Sequence, residues 1–292
     1  MTSLSQSLAQ SFAEMTGASI ETANYYLEAS GGTVDGAVGL YFEMGGAPAP
    51  SNDLSPTSSN TAQSGNQGAS KDANGQTVEP ADPTPSFTLI APTSQFTLPE
   101  GRSACTTIAC EAAFLMTMTM EQNGGVDATT FEDVSKIVSV IADGVAEYKV
   151  INANAAAEHM SCGEVMIMSQ KYSKVMEQVI MVQGSTEGST AFVEELDKAM
   201  EGAQEDKAPV CAVITKPPES VVVYCHQNGT YVLFDSHPRQ TLGIQGAYVC
   251  GFASSAGCAA FLRGIFPAVA GLGDGMMAQM YNSFEFTVLR RK

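Results

Sequence analysis

From Gly46 to Ser86 the chain reads GAPAPSNDLSPTSSNTAQSGNQGASKDANGQTVEPADPTPS, rich in Pro, Ser, Asn and Gly and almost devoid of large apolar side chains. Such a stretch cannot bury enough apolar surface to offset the entropy of ordering its backbone. No hydrophobic core can therefore run unbroken through the chain. The sequence divides into a small N-terminal module at residues 1–46, a disordered linker at residues 47–86 and a larger domain at residues 87–292.

Within the first segment apolar residues recur at helical spacing: Leu8, Phe12 and Met15; Ile20, Ala23, Tyr26 and Leu27; then Val34, Ala37, Val38, Tyr41 and Phe42. Glycines in TGAS and SGGTVD interrupt the runs and leave Ser19 and Thr33 as helix N-caps. The spacing predicts three short helices packed as a small bundle.

The pattern changes after residue 86. ACTTIACEAAFLMTMTM is apolar nearly all round, as suits a helix buried in the middle of a domain, and two amphipathic runs, FEDVSKIVSVIADGVAEYKV and AFVEELDKAMEG, follow it. Then come the β-rich runs APVCAVITK, SVVVYCHQ, YVLFDSH and GAYVCGFAS, the middle pair joined by an Asn-Gly hairpin signal. A helix in AGCAAFLRGIFP and a strand in SFEFTVLRR close the sequence. Helices first and a mostly antiparallel sheet afterwards predict an α+β domain.

A formal charge of −17 repels polyphosphate backbones and anionic lipid, so neither nucleic acid nor a membrane surface is an expected partner. No segment approaches the ~20 apolar residues of a membrane span, and the start MTSLSQSLAQSFAEM lacks the basic and apolar regions of a secretory signal. The cytosol or nucleus is the expected compartment. The seven cysteines have no framework spacing and read as reduced thiols, most of them small buried hydrophobes.

Two short motifs carry chemistry. In LPEGRSACTTIAC a loop marked by Pro99 and Gly101 leads into a helix whose first turn holds Cys105, where unpaired N–H groups and the helix dipole favour a thiolate. Cys110 stands more than a turn further in, where apolar surroundings raise a thiol's pKa. Cys105 is the candidate nucleophile; as a lone thiol it also reads as a core residue. In YVLFDSHPRQ, Asp235 and His237 point to the same side of an extended chain, so the carboxylate can fix the tautomer of the imidazole. Pro238 ends the strand and puts His237 at an edge. By itself this D-x-H also suits a solvated turn. The other histidines are poorer bases, with His159 in a polar loop or helix start and His226 exposed at the hairpin turn. No metal-ligand spacing is present around Cys225, His226 and Cys250, and no metal or other cofactor is expected. Gln95 is a candidate oxyanion donor beside the backbone N–H of Cys105, and it reads equally as an ordinary loop glutamine. Arg239 is placed to pair with a nearby carboxylate.

The stretch FAEMTGASIETANYYLEASGGTVDGAVGLYFEMGG resembles the UBA-like module that begins UBX-domain cofactors. Such modules commonly bind ubiquitin through the loop after the first helix and through the last helix. The matching positions here are Met15, Thr16 and Gly17, then Leu40, Tyr41 and Met44. GRSACTTIACEAAFLM and YVLFDSHPR resemble the deubiquitinases related to the herpesvirus tegument protease, which are papain-like. That resemblance implies Cys105 as nucleophile, His237 as general base, Asp235 as its orienter and Gln95 as the upstream glutamine. Together the resemblances imply a deubiquitinase with ubiquitin, polyubiquitin chains or ubiquitinated proteins as partners. A non-catalytic ubiquitin-binding adaptor and a protease for another ubiquitin-like modifier are the alternatives.

Overall fold

A computed structural model of the chain describes residues 8–13, 16, 18–29, 34, 37–38 and 41, and then 82–98, 100–123, 131, 133–153, 159–269, 279 and 281–292. Residues divide into two compact units, Met1–Gly68 and Ala69–Lys292. Among the described residues no helix is long and apolar enough to cross a membrane.

In the first unit residues 8–13 are helical and helix α1 spans Ile20–Ala29. Ser19 caps α1 by accepting a hydrogen bond from the Thr22 N–H at 3.1 Å, as its sequence context predicts. Ala9, Phe12, Ala23, Tyr26, Leu27, Ala37 and Val38 form the core of the unit. Phe12, Tyr26 and Tyr41 meet as an aromatic cluster, with ring centroids 6.1, 5.4 and 5.2 Å apart. Thr33, the second expected N-cap, lies outside the described residues.

The second unit is built on a seven-stranded sheet in which every pairing is antiparallel. Strand β1 (Phe87–Ile90) precedes the helices α2 (Cys105–Asn123), α3 (Val134–Asn152), α4 (Cys162–Met168) and α5 (Gln170–Ser173). After them come β2 (Met176–Ser185), α6 (Val193–Glu205), β3 (Val210–Lys216), β4 (Glu219–Cys225), β5 (Tyr231–Asp235), β6 (Tyr248–Phe252), α7 (Ser255–Ile265) and β7 (Ser283–Arg291). The sheet order is β1-β6-β5-β4-β3-β7-β2.

Both faces of the central strands are covered, which is why those strands read as continuous apolar runs and not as alternating ones. Cys211, Val213, Val222, Tyr224, Val232, Phe234 and Val249 face one core, shared with α2 and α3. Their chain neighbours Val210, Ala212, Val221, Val223, Leu233 and Cys250 face the other, shared with α6 and α7. The largely apolar α2 is buried from Cys105 to Ala113 and again at Met116. It is crossed by α3 at Gly144, where a β-carbon would stand 2.6 Å from the Ile108 Cα. On α3 the buried side chains follow helical spacing, Ile137, Val140, Ile141, Val145, Tyr148 and Ile151, and Asp133 caps the helix through the Ser135 N–H at 2.9 Å.

The Asn-Gly turn joins β4 to β5 as expected. Gly229 there has a φ of 91°, a conformation that L side chains rarely adopt. His226, expected to be exposed at this turn, is instead buried: its Nδ1 accepts the Asn228 N–H at 3.2 Å and its ring stacks on Tyr224.

Candidate active site

The site forms where three segments meet: the start of α2, the β3–β4 turn and the end of β5. Cys105 is the first residue of α2, preceded by a tight 3-10 turn over Gly101–Ser103. Gly101 fits against the Gln95 carbonyl, and a β-carbon there would lie 1.8 Å from that oxygen. Glycine at this position thus fixes how closely the lead-in to the helix sits on the Gln95 turn. A line of hydroxyls joins the helix start to the facing strands, with Thr106 Oγ1 2.8 Å and Thr215 Oγ1 2.9 Å from Ser220 Oγ.

Asp235 ends β5, wholly buried, with His237 following it. Its Oδ1 accepts the backbone N–H of His237 at 2.9 Å and lies 2.7 Å from His237 Nδ1. Its Oδ2 accepts Arg239 Nε–H at 2.7 Å and the Tyr248 hydroxyl at 3.1 Å. A buried carboxylate with this many donors is held ionised and immobile. Arg239 reaches onward through Nη1 to Glu219 Oε2 at 2.6 Å and lies over the Phe266 ring. The ring of His237 meets Phe96 edge-on, with centroids 5.8 Å apart.

With Nδ1 engaged by Asp235, the Nε2 of His237 is left for the Cys105 sulfur, and the two side chains are in hydrogen-bonding contact. The protonated thiol can also donate to the Pro218 carbonyl, 3.3 Å away. Pro218 directly precedes Glu219, so one short turn supplies both the acceptor of the thiol and the second carboxylate of Arg239. The result is a closed ring of contacts from Cys105 through His237, Asp235, Arg239 and Glu219 back to the Pro218 carbonyl.

Electrostatics follow from this ring. Burial by itself would push the Cys105 thiol up, but contact with His159 and His237 outweighs it and brings the thiol down to about 6. Burial would likewise lower His237; the charges of Glu219 and Asp235 and the hydrogen bonds to Asp235 and Cys105 instead raise it to about 10. Asp235, despite burial, is held below the usual carboxylate range by Arg239 and His237. Cys110 behaves in the opposite way. Its sulfur lies 3.8 Å from Cys162, and that contact together with burial pushes the thiol well up. All seven cysteines are buried free thiols, and Cys105 is set apart from the rest by its imidazole neighbours.

Gln95 sits beside the end of β5. Its N–H donates to the Ser236 carbonyl at 3.1 Å, and its Oε1 accepts the Ser236 hydroxyl at 2.6 Å. The amide nitrogen is then the end of this buried side chain that remains to donate. The structure therefore gathers Cys105, Asp235, His237 and Gln95 into one region. It adds residues that the sequence did not single out for this purpose. Glu219 and Tyr248 arrive from other strands and carry no local signal. His159, read as a poorer base in a polar loop or helix start, contacts the Cys105 thiol itself. Of the positions matched to ubiquitin binding, Thr16 and Tyr41 are described. The Thr16 hydroxyl donates to the Phe12 carbonyl at 2.8 Å, and the half-buried Tyr41 ring packs on Phe12 and Tyr26. Met15, Gly17, Leu40 and Met44 lie outside the described residues. Among the described residues no group of three His, Cys, Asp or Glu side chains is placed to hold a metal ion.

Comparison with known proteins gives two findings. Residues 6–48 match the UBA-like domain family. Among solved structures, a similar chain is the ubiquitin-specific protease encoded by murine cytomegalovirus tegument protein M48, solved with a ubiquitin-based suicide substrate. It is 14% identical with a TM-score of 0.49, over 70% of this chain and 86% of that one. Comparison with curated protein sequences gives no match.

Proposed function

We propose that this chain is a deubiquitinase, a thiol isopeptidase of papain-like arrangement that hydrolyses the bond after the C-terminal Gly-Gly of ubiquitin. The observation that carries the reading is the contact of the Cys105 thiol with an imidazole whose Nδ1 lies 2.7 Å from a buried, fully hydrogen-bonded carboxylate. The choice of ubiquitin rests on the UBA-like match at residues 6–48 of the same chain.

In this mechanism the Cys105 thiolate attacks the carbonyl carbon of the scissile amide. The backbone N–H of Cys105 and the Gln95 amide donate to the oxyanion. His237 gives its Nε2 proton to the leaving lysine amine as the C–N bond breaks, leaving an acyl-thioester. Neutral His237 then takes a proton from water, the water oxygen adds to the acyl carbon, and the C–S bond breaks. Asp235 keeps the imidazole in the tautomer and orientation this requires. Thr16 and Tyr41, with Met15, Gly17, Leu40 and Met44, would serve the UBA-like module in holding a ubiquitin unit of a chain or of a ubiquitinated protein.

The test is incubation with ubiquitin carrying a thiol-reactive C-terminal warhead, with wild type, Cys105→Ala, Cys110→Ala and His237→Ala compared on a denaturing gel. The reading expects a covalent product with wild type and Cys110→Ala, none with Cys105→Ala, and slow formation with His237→Ala. A product with a different ubiquitin-like probe and none with ubiquitin would reassign the modifier. No product from any probe, with ubiquitin still bound by the chain, would make it a non-catalytic adaptor.

A further inference from the structure

The Cys105 sulfur is in hydrogen-bonding contact with two imidazoles that arrive from unrelated parts of the chain. His237 follows β5, whereas His159 stands just before α4. The residues after His159 are firmly anchored. Met160 is buried in the core shared with α2 and α3. Ser161 caps α4 in a reciprocal capping box with Glu164. Cys162 packs its sulfur 3.8 Å from Cys110, on the nucleophile's own helix. His159 is exposed, but its backbone attachment is thereby fixed relative to α2.

His159 also helps to wall a cleft of about 260 Å³ with Thr106, Pro218, Gln183 and Glu285. Thr106 follows the nucleophile, and Pro218 supplies the acceptor of its thiol. The cleft is therefore walled by the residue next to Cys105 and by the residue whose carbonyl accepts its thiol, and His159 is the imidazole in the same wall.

We propose that His159 is a second catalytic histidine, donating a hydrogen bond to the Cys105 sulfur from the cleft side. The contact is independent of what the substrate is; its part in turnover rests on the isopeptidase reading above. During acylation the Sγ–C bond forms, the C–N bond breaks, and the proton from His237 passes to the amine. During release the water proton goes to His237, the water oxygen bonds the acyl carbon, and the C–S electron pair returns to sulfur. His159 keeps its own proton in both steps and stabilises the anionic sulfur as it attacks and as it leaves. The titratable and charged groups around this arrangement are Cys105 on α2, His237 and Asp235 from β5, Arg239 beyond them, Glu219 on β4 and, across the cleft, Glu285 on β7.

The experiment measures alkylation of Cys105 in the full chain by iodoacetamide across pH, followed by peptide mass, for wild type, His159→Ala and His159→Gln. A lost donor should slow alkylation at pH 7 by roughly three- to tenfold and move the pH midpoint upward. The Gln variant, whose amide still donates, should recover most of the loss, and thermal unfolding should be unchanged in both. A wild-type pH profile in His159→Ala, or equal losses in Ala and Gln, would overturn the proposal. If the profile shifts as expected while no ubiquitin probe reacts with wild type, the role of His159 stands and the isopeptidase reading falls.

Discussion

At the scale of the residue, Cys105 and His237 carry opposite charges only within a window of pH. Below about 6 the sulfur is protonated, and on the isopeptidase reading the nucleophile is lost. Above about 10 the imidazole is neutral, and on the same reading it has no proton to give a leaving amine. Between them kcat/KM for a ubiquitin C-terminal amide should form a plateau, rising through the lower value and falling through the upper one. The imidazole also contributes to stability. Its pKa is raised on folding, so its contribution is complete below the unfolded value of ~6.5 and is lost as pH rises through about 10. The D-x-H spacing and the thiol at a helix start were legible in the sequence because each depends on local geometry, strand alternation in one case and the helix N-terminus in the other. Glu219, Tyr248 and His159 were not, because each acts through a neighbour that only the tertiary fold supplies. The burial of His226 was missed for the same reason: an Asn-Gly turn argues exposure, but stacking on Tyr224 overrides it.

At the scale of the element, strands that are buried on both faces announced themselves as apolar runs, and the amphipathic helices by their period. The edge strands β1 and β2 did not. β2 pairs only with β7 and exposes Val179, Ile180, Met181 and Val182, so no alternation of burial marks it. The 3-10 turn at Gly101 matters most for the site, since it seats the Gln95 turn against the start of α2. Gly101→Ala must push the two apart, because the new methyl group would meet backbone and not a flexible side chain. Displacement of this kind should lower kcat by about tenfold or more while changing KM little. Steady-state kinetics on a fluorogenic ubiquitin amide would decide it, and an unchanged kcat would show that Gln95 takes no part in the reaction.

At the scale of the whole molecule, the composition of residues 47–86 suits a tether, and a tether makes a second binding event effectively intramolecular. Disrupting the N-terminal core while keeping the full chain tests this without altering the site. Phe12→Asp puts a charge where Tyr26 and Tyr41 meet. Hydrolysis of a single-ubiquitin amide should be unaffected, whereas cleavage of ubiquitin chains should fall by about tenfold or more at low substrate. Equal loss on both substrates would deny the module a separate role. The closed ring of contacts around Cys105 has a further consequence, for the way the protein is made. Cys105 and the carbonyl it meets are 113 residues apart in sequence, and the sheet that joins them is completed by β7 near the end of the chain. Contacts this distant are slow to form because long loops must close first. A partly synthesised chain, lacking β5 and the residues after it, holds Cys105 and His159 but neither His237 nor Asp235. On the isopeptidase reading, the general base and its carboxylate would therefore reach the thiol only when folding is nearly complete, so that a nascent chain would not yet be able to turn over substrate.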